Sequence, residues 1–308
     1  MRRYGFLFAL CAIFGLSASA QDGLHEIIAA GAKLEKVACC FKFTEGPAWH
    51  PRGFLIFSDI PADTIYKWDP RTGRTEVFRR PSGHANGNLF DLQGRLVTCE
   101  HDRRVSRTER DGSIVTLAAR YQGKRLNSPN DLAIRSDGSI YFTDPPYGIS
   151  KEQEELGFYG VYRLTPRGEL SLLDRSFKRP NGIAFSPDER RLYVSDSAEG
   201  TISVFDVLPD GSIANKRVFA TLEGSGEAGV PDGMKVDERG NIYCTGPHGV
   251  WIFAPDGRKL GIIETPEVPA NLAWGDADRR TLYITARTSV YRLRMRAAGP
   301  NLGPAAHK

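Results

Sequence analysis

Six polar residues recur along the chain, each just ahead of a short apolar stretch, and together they could gather oxygen ligands around one point. They are Glu45 in Glu-Gly-Pro-Ala-Trp, Asn86 in Asn-Gly-Asn-Leu-Phe, Asn130 in Asn-Asp-Leu-Ala-Ile, Asn181 in Asn-Gly-Ile-Ala-Phe, Asp232 in Asp-Gly-Met-Lys-Val and Asn271 in Asn-Leu-Ala-Trp. Successive members are 41, 44, 51, 51 and 39 positions apart. Asn and Asp are depleted in strands, so strand propensity does not select them. A single Asn is readily explained as a turn residue making a local Asx hydrogen bond; six in register are not. Two carboxylates and several carboxamides, with no sulfur or imidazole among them, form the donor set of a hard divalent cation such as Ca²⁺ or Mg²⁺.

The elements that must position these residues follow from what comes after each. The apolar stretch leads into a turn rich in Asp, Gly and Arg, then a second apolar run such as Phe54-Leu-Ile-Phe, Ile140-Tyr-Phe-Thr, Leu192-Tyr-Val-Ser or Leu282-Tyr-Ile-Thr. These pairs read as β-hairpins. A third strand follows in most copies, as in Thr64-Ile-Tyr-Lys-Trp and Thr201-Ile-Ser-Val-Phe, and then a fourth. Four antiparallel strands repeated with this period predict an all-β, six-bladed β-propeller. Two stacked β-sandwiches would need a linker near the middle, and no Pro/Ser/Gly-rich tract interrupts the repeat. The first strand of each blade lies nearest the axis, so the six polar residues are expected to ring the central channel. The 32 Gly and 19 Pro fit the same picture as turn residues, and Gly46, Gly87, Gly182 and Gly233 directly follow a ring residue.

The second strand returns to the same face. Fourteen or fifteen residues after the ring positions stand Asp59, Glu100, Asp144, Asp196, Gly246 and Ala286. The four acids are expected either to hold the ring in place or to present bases to a substrate, with simple turn-forming acids as the alternative for Asp59 and Asp196. Asp144 opens the stiffened insertion Thr143-Asp-Pro-Pro-Tyr-Gly148, and with Tyr147 it is expected to contact substrate. His248 is expected on the same face, as are His84 and His101, whose roles stay open.

Charge and composition bound the partner. Lys and Arg number 41 against 37 Asp and Glu, giving a formal net charge of +4, which leaves no electrostatic footprint for nucleic acid or an anionic membrane. A small molecule is the expected partner, and the protein is expected to be a monomer or weak homo-oligomer. Arg2 and Arg3, the apolar run Tyr4 to Leu16 and Ser17-Ala-Ser-Ala20 read as a cleaved secretory signal over residues 1–20. This leaves a single propeller domain over 21–308, exported to the periplasm or secreted and free of the membrane, with its formal charge lowered from +4 to +2. Cys39, Cys40, Cys99 and Cys244 have neither zinc spacing nor the density of a disulfide scaffold. The adjacent pair Cys39 and Cys40 is expected to be two small buried side chains.

On these residues the chain resembles the gluconolactonase family, also called the senescence-marker-protein-30 or regucalcin-like family, from about Cys39 to Arg294. Its most specific strings are Glu45-Gly-Pro-Ala-Trp49, Ser128-Pro-Asn-Asp131, Pro180-Asn-Gly182 and Val230-Pro-Asp-Gly-Met234, in order and at blade spacing. The resemblance implies one divalent metal at the propeller mouth, held by Glu45, Asn181 and Asp232 with Asn130 beside it or ligating. Ca²⁺ is the first expectation, with Mg²⁺, Mn²⁺ or Zn²⁺ as alternatives. It also implies hydrolysis of sugar lactones such as glucono-1,5-lactone. The animal branch carries Arg two residues before the position of Asn130, where this chain has Ser128, so bacterial-type lactonases are the nearer likeness. In the mechanism this implies, the metal polarises the lactone carbonyl and Asp232 assists attack by water, with direct attack by Asp232 as the alternative. Asn86, Asn130 and Asn271 orient substrate hydroxyls, while Tyr147 and His248 wall the pocket. A related metal-dependent esterase or organophosphate hydrolase, or a non-enzymatic ligand-binding propeller, are the alternatives.

Overall fold

Short hairpins joined by tight turns build six four-stranded antiparallel sheets in the computed structural model, which describes residues 23–226 and 228–300. The expected signal segment lies outside those residues. Blade one takes Thr44–His50, Phe54–Asp59, Thr64–Asp69 and Arg74–Arg79 in chain order. Blade two runs from Ala85–Phe90 to Ile114–Ala118, blade three from Leu132–Ile134 to Leu170–Phe177, blade four from Pro180–Phe185 to Ile213–Thr221, and blade five from Met234–Val236 to Lys259–Glu264. The first strands touch one another in an unbroken circuit from blade one to blade six and back. The fold is therefore a six-bladed β-propeller.

Blade six departs from simple repetition. Pro269–Gly275, Thr281–Ala286 and Ser289–Arg294 supply three strands, and the outermost is Glu35–Cys39 from the other end of the chain, with Glu35 opposite Arg292 and Cys39 opposite Ser289. The two ends of the chain thus lock the ring. Glu267, in the turn before blade six, clasps this seam by accepting from Thr288 N–H and Oγ1, Ser289 Oγ and Tyr291 O–H, and from Lys36 Nζ on the closing strand at 3.2 Å. Partial burial opposes its ionisation, yet these donors outweigh it and hold the carboxyl at about 2. A carboxyl depressed in the folded state stabilises fully above its unfolded value of about 4.3, and the contribution is lost as pH falls through about 2. Glu267→Gln is expected to lower the melting temperature at pH 7 and to flatten acid unfolding across that window; an unchanged acid-unfolding curve would count against the clasp.

The core lies between blades. Each sheet is covered on both faces, so its middle strands are apolar at successive positions rather than alternate ones. Ile140, Phe142 and Tyr162 pack against Val97, Cys99 and Val105 of blade two, while Tyr141 and Val161 face Ile183 and Val194 of blade four. The same division recurs around the ring, from blade six against blade one (Tyr283 and Val290 on Leu55 and Phe57) to blade one against blade two (Ile56 and Ile65 on Ala85 and Leu96). Nearest the axis the blades meet through backbone. A Cβ built on Gly182 would stand 2.2 Å from the Asp232 carbonyl oxygen, which Ser195 Oγ also grips at 2.9 Å. Gly182→Ala therefore has to force blades four and five apart, with an expected loss of about 3 kcal/mol or more. Thermal denaturation and soluble yield measure it, and a near-normal melting temperature would contradict so close an approach.

Candidate active site at the channel mouth

The ring residues reach the axis because the first strands are bulged where they sit. Pairing slips between Glu45 and Ala48, between Ala85 and Asn88, between Pro180 and Ile183, and between Pro269 and Asn271. A bulge re-aims a side chain that regular alternation would send into a sheet face. In blades three and five, Asn130 and Asp232 precede the regular strand altogether. Glu45, Asn86, Asn130, Asn181 and Asn271 are buried, and Asp232 keeps partial exposure.

Direct hydrogen bonds join most of the ring. Asn86 Nδ2 donates to Asn130 Oδ1 at 2.6 Å, and Asn130 Nδ2 donates to Asn181 Oδ1 at 2.5 Å. Asn181 Nδ2 continues to Ser197 Oγ at 3.0 Å, whose hydroxyl donates to the carbonyl of Pro231, the neighbour of Asp232. On the far side Asn271 Nδ2 donates to Glu45 Oε2 at 3.0 Å. Each accepting carbonyl keeps a second lone pair. Asn86 Oδ1 is buried with no partner at all.

Two charged residues outside the ring positions complete the axis. Asp131 is buried beside Asn130, and its Oδ2 lies 3.4 Å from Asn271 Nδ2 and 3.8 Å from Lys235 Nζ. Lys235 Nζ also donates to Asn271 Oδ1 at 3.4 Å. Burial and then the field of Asp131 push the Glu45 carboxyl up to about 7, and burial with the fields of Glu45 and Asp131 pushes Asp232 well above the carboxylate range. Three carboxylates facing one ammonium leave two negative charges without a partner when all are ionised. A divalent cation would match that charge. Among the described residues no group of three or more His, Cys, Asp or Glu forms a metal cage, so a cation here depends on carboxamides as well as carboxylates.

The second ring has a repeated structural task. Asp59 accepts from the amides of Lys42 and Phe43, Asp144 from those of Asn127 and Ser128, and Asp196 from those of Lys178 and Arg179. In each case these are the residues three and two before the ring position, so the acid fixes the loop that delivers Glu45, Asn130 or Asn181. Glu100 instead pairs with Arg79 and Arg104. Asp144 is fully buried, and burial pushes its carboxyl up to about 7 even against those amide donors. The expectation that Asp144 contacts substrate is corrected by this placement, because its oxygens point at the Asn127–Ser128 backbone and it acts by holding Asn130.

Tyr147 does stand at the mouth. Its hydroxyl accepts from Asn181 Nδ2 at 3.3 Å, and burial followed by the field of Asp232 pushes it up to about 12. The loop is seated by Gly148, whose N–H donates to Ser128 Oγ at 2.9 Å and whose missing side chain leaves room for His101. His101 Nε2 meets Asn86 Nδ2 at 3.1 Å, and burial lowers the imidazole to about 4, so it is neutral at pH 7. His248 is exposed in the turn between Gly246 and Gly249. His84 is exposed and paired with Asp102 at 2.9 Å.

A six-bladed propeller carrying this carboxylate and carboxamide mouth defines a class of protein, and the chain belongs to it: the SMP-30/Gluconolactonase/LRE-like region family matches residues 43–288. Within that family the chain is similar to the gluconolactonase of Zymomonas mobilis, at 37% identity over 90% of this chain and 85% of that protein. A solved gluconolactonase structure from Xanthomonas campestris superposes with a TM-score of 0.82 at 37% identity, covering 89% of this chain and 93% of that one. The pentonolactonase XacC of Haloferax volcanii is 26% identical over 78% of this chain and 80% of its own length.

Proposed function

We propose that the protein hydrolyses a sugar lactone at the channel mouth, with a divalent cation held by Glu45, Asn130, Asn181 and Asp232. The observation that carries this reading is the convergence of those four oxygen donors on one end of the channel, in a chain whose relatives include a gluconolactonase and a pentonolactonase. The donor set fits a hard cation: it is all oxygen, it carries uncompensated negative charge, and the neighbouring Asn86 Oδ1 is left unpaired. Ca²⁺ suits such ligands best, although Mg²⁺ and Mn²⁺ share the preference. When bound, the cation supplies a Lewis acid beside the lactone carbonyl oxygen.

The chain's own groups do the rest. Asp232, the most accessible ring member, takes a proton from the attacking water, because as a cation ligand it keeps its charge and its free oxygen can accept one. Asn86, Asn130 and Asn271 bind substrate hydroxyls in the plane of the ring. Tyr147 covers the Asn181 side of the pocket, and neutral His101 offers hydrogen bonding on the Asn86 side. His248, on its exposed turn, marks the outer wall. The site is proposed to work in the periplasm or outside the cell, after loss of residues 1–20.

A pH-stat panel of glucono-1,5-lactone, pentonolactones, aryl esters and an organophosphate tests the substrate class. Sugar lactones are expected to give the highest kcat/KM. Faster turnover of the aryl ester or organophosphate would replace this reading with the related hydrolase.

A further inference from the structure

The four cysteines among the described residues divide into two kinds. Cys99 and Cys244 are fully buried, which keeps them out of reach of an external disulfide. Cys39 and Cys40 are exposed, contrary to the burial expected of them, because the closing strand is the outermost of blade six. Their sulfurs stand 2.7 Å apart. Successive residues of a regular strand point to opposite faces, so this meeting needs a break in the strand. Cys40 supplies it with a left-handed φ of 77°. The turn is held on both sides: Cys39 pairs with Ser289, while the next amide, Phe41 N–H, donates to Thr288 O at 3.2 Å. It lies on the mouth-side rim, where the chain passes from the closing strand into blade one.

We propose that Cys39 and Cys40 form a reversible dithiol–disulfide site that reacts with low-molecular-weight disulfides. One cysteine thiolate attacks the external disulfide, forming a protein mixed disulfide and expelling one thiol. The neighbouring cysteine then attacks the protein-bound sulfur, forming the Cys39–Cys40 bond and expelling the second thiol. Two cysteine thiols are oxidised, one external disulfide is reduced to two thiols, and the cysteine protons end on those thiols. Adjacent Cα atoms stand about 3.8 Å apart across a trans peptide, short of the usual span of about 4.4–6.8 Å for a disulfide, so the ring is strained and readily reduced again. It encloses almost no chain and adds little global stability. The site is therefore a local modification centre at the closure seam, distinct from a structural staple.

Oxidised glutathione is the probe, read by mass spectrometry of the intact folded protein and of the peptide containing both cysteines. That peptide is expected to lose two hydrogens and retain no glutathione, to regain them with dithiothreitol, and to do so while Cys99 and Cys244 stay reduced. Cys40→Ser is expected to stop at a stable glutathione adduct on Cys39, and Cys39→Ser at one on Cys40. Wild-type protein that keeps stable glutathione adducts on the pair, or whose pair stays unmodified while the single variants are glutathionylated, would overturn the proposal. So would single variants that fail to react in the folded state.

Discussion

Asp232→Asn is expected to fold normally and to lose between about 10² and 10⁴ of its lactone turnover, the range that a positioned general base contributes. The substitution keeps the side-chain shape and an oxygen donor, and Ser195 Oγ and Gly182 N–H still hold the Asp232 backbone carbonyl. What it removes is the proton acceptor. It also removes a carboxylate from the cluster with Glu45 and Asp131, so the variant is expected to melt no lower than wild type when divalent cations are absent. Single-turnover kinetics under saturating lactone separate the loss in kcat from any change in binding. Near-normal turnover in a folded, cation-loaded variant would remove Asp232 from the role of base.

Glu45→Gln moves two observables in opposite directions. Glu45 is buried against Asp131, receives Asn271 Nδ2 and the amide of its own neighbour Gly46, and among the described residues has no Lys or Arg in direct contact. Neutralising it relieves repulsion in the cation-free protein, so the melting temperature without divalent ions is expected to rise. The same change strips one formal charge from the binding site, and divalent affinity is expected to fall by at least about 100-fold, the upper end of the cost of losing even an outer partner. Calorimetric titration and thermal denaturation with and without the cation measure both. A variant that binds the cation as tightly as wild type would place the cation elsewhere.

The ring was legible in the sequence because hairpin length is nearly constant: the same offset that separates Glu45 from Asp59 separates Asn130 from Asp144, and both pairs occupy matching places in their blades. Asp131 and Lys235 were not legible. Alternation along a strand turns a residue beside a channel position away from the axis; the irregular backbone around Asn130 lets its neighbour Asp131 share it, while Lys235 reaches Asp131 and Asn271 from within the regular strand Met234–Val236. Asp144 reads in sequence as an acid on a functional loop, since the amides it holds belong to residues seventeen and sixteen positions earlier. The closing strand Glu35–Cys39 has no hairpin partner nearby in the chain, because its partner is Ser289–Arg294, the last strand among the described residues. Cysteine's general preference for interiors misplaced Cys39 and Cys40 for the same reason, as an outermost strand has no neighbour to cover it.

The most direct test of the site is pH-stat hydrolysis of glucono-1,5-lactone by wild-type protein stripped of divalent ions and then titrated with Ca²⁺, Mg²⁺, Mn²⁺ or Zn²⁺. Activity is expected to vanish on stripping and to return saturably at one equivalent of cation, with different maxima for different ions. Hydrolysis that persists at its full rate after exhaustive chelation would contradict a cation-dependent site built by Glu45, Asn130, Asn181 and Asp232.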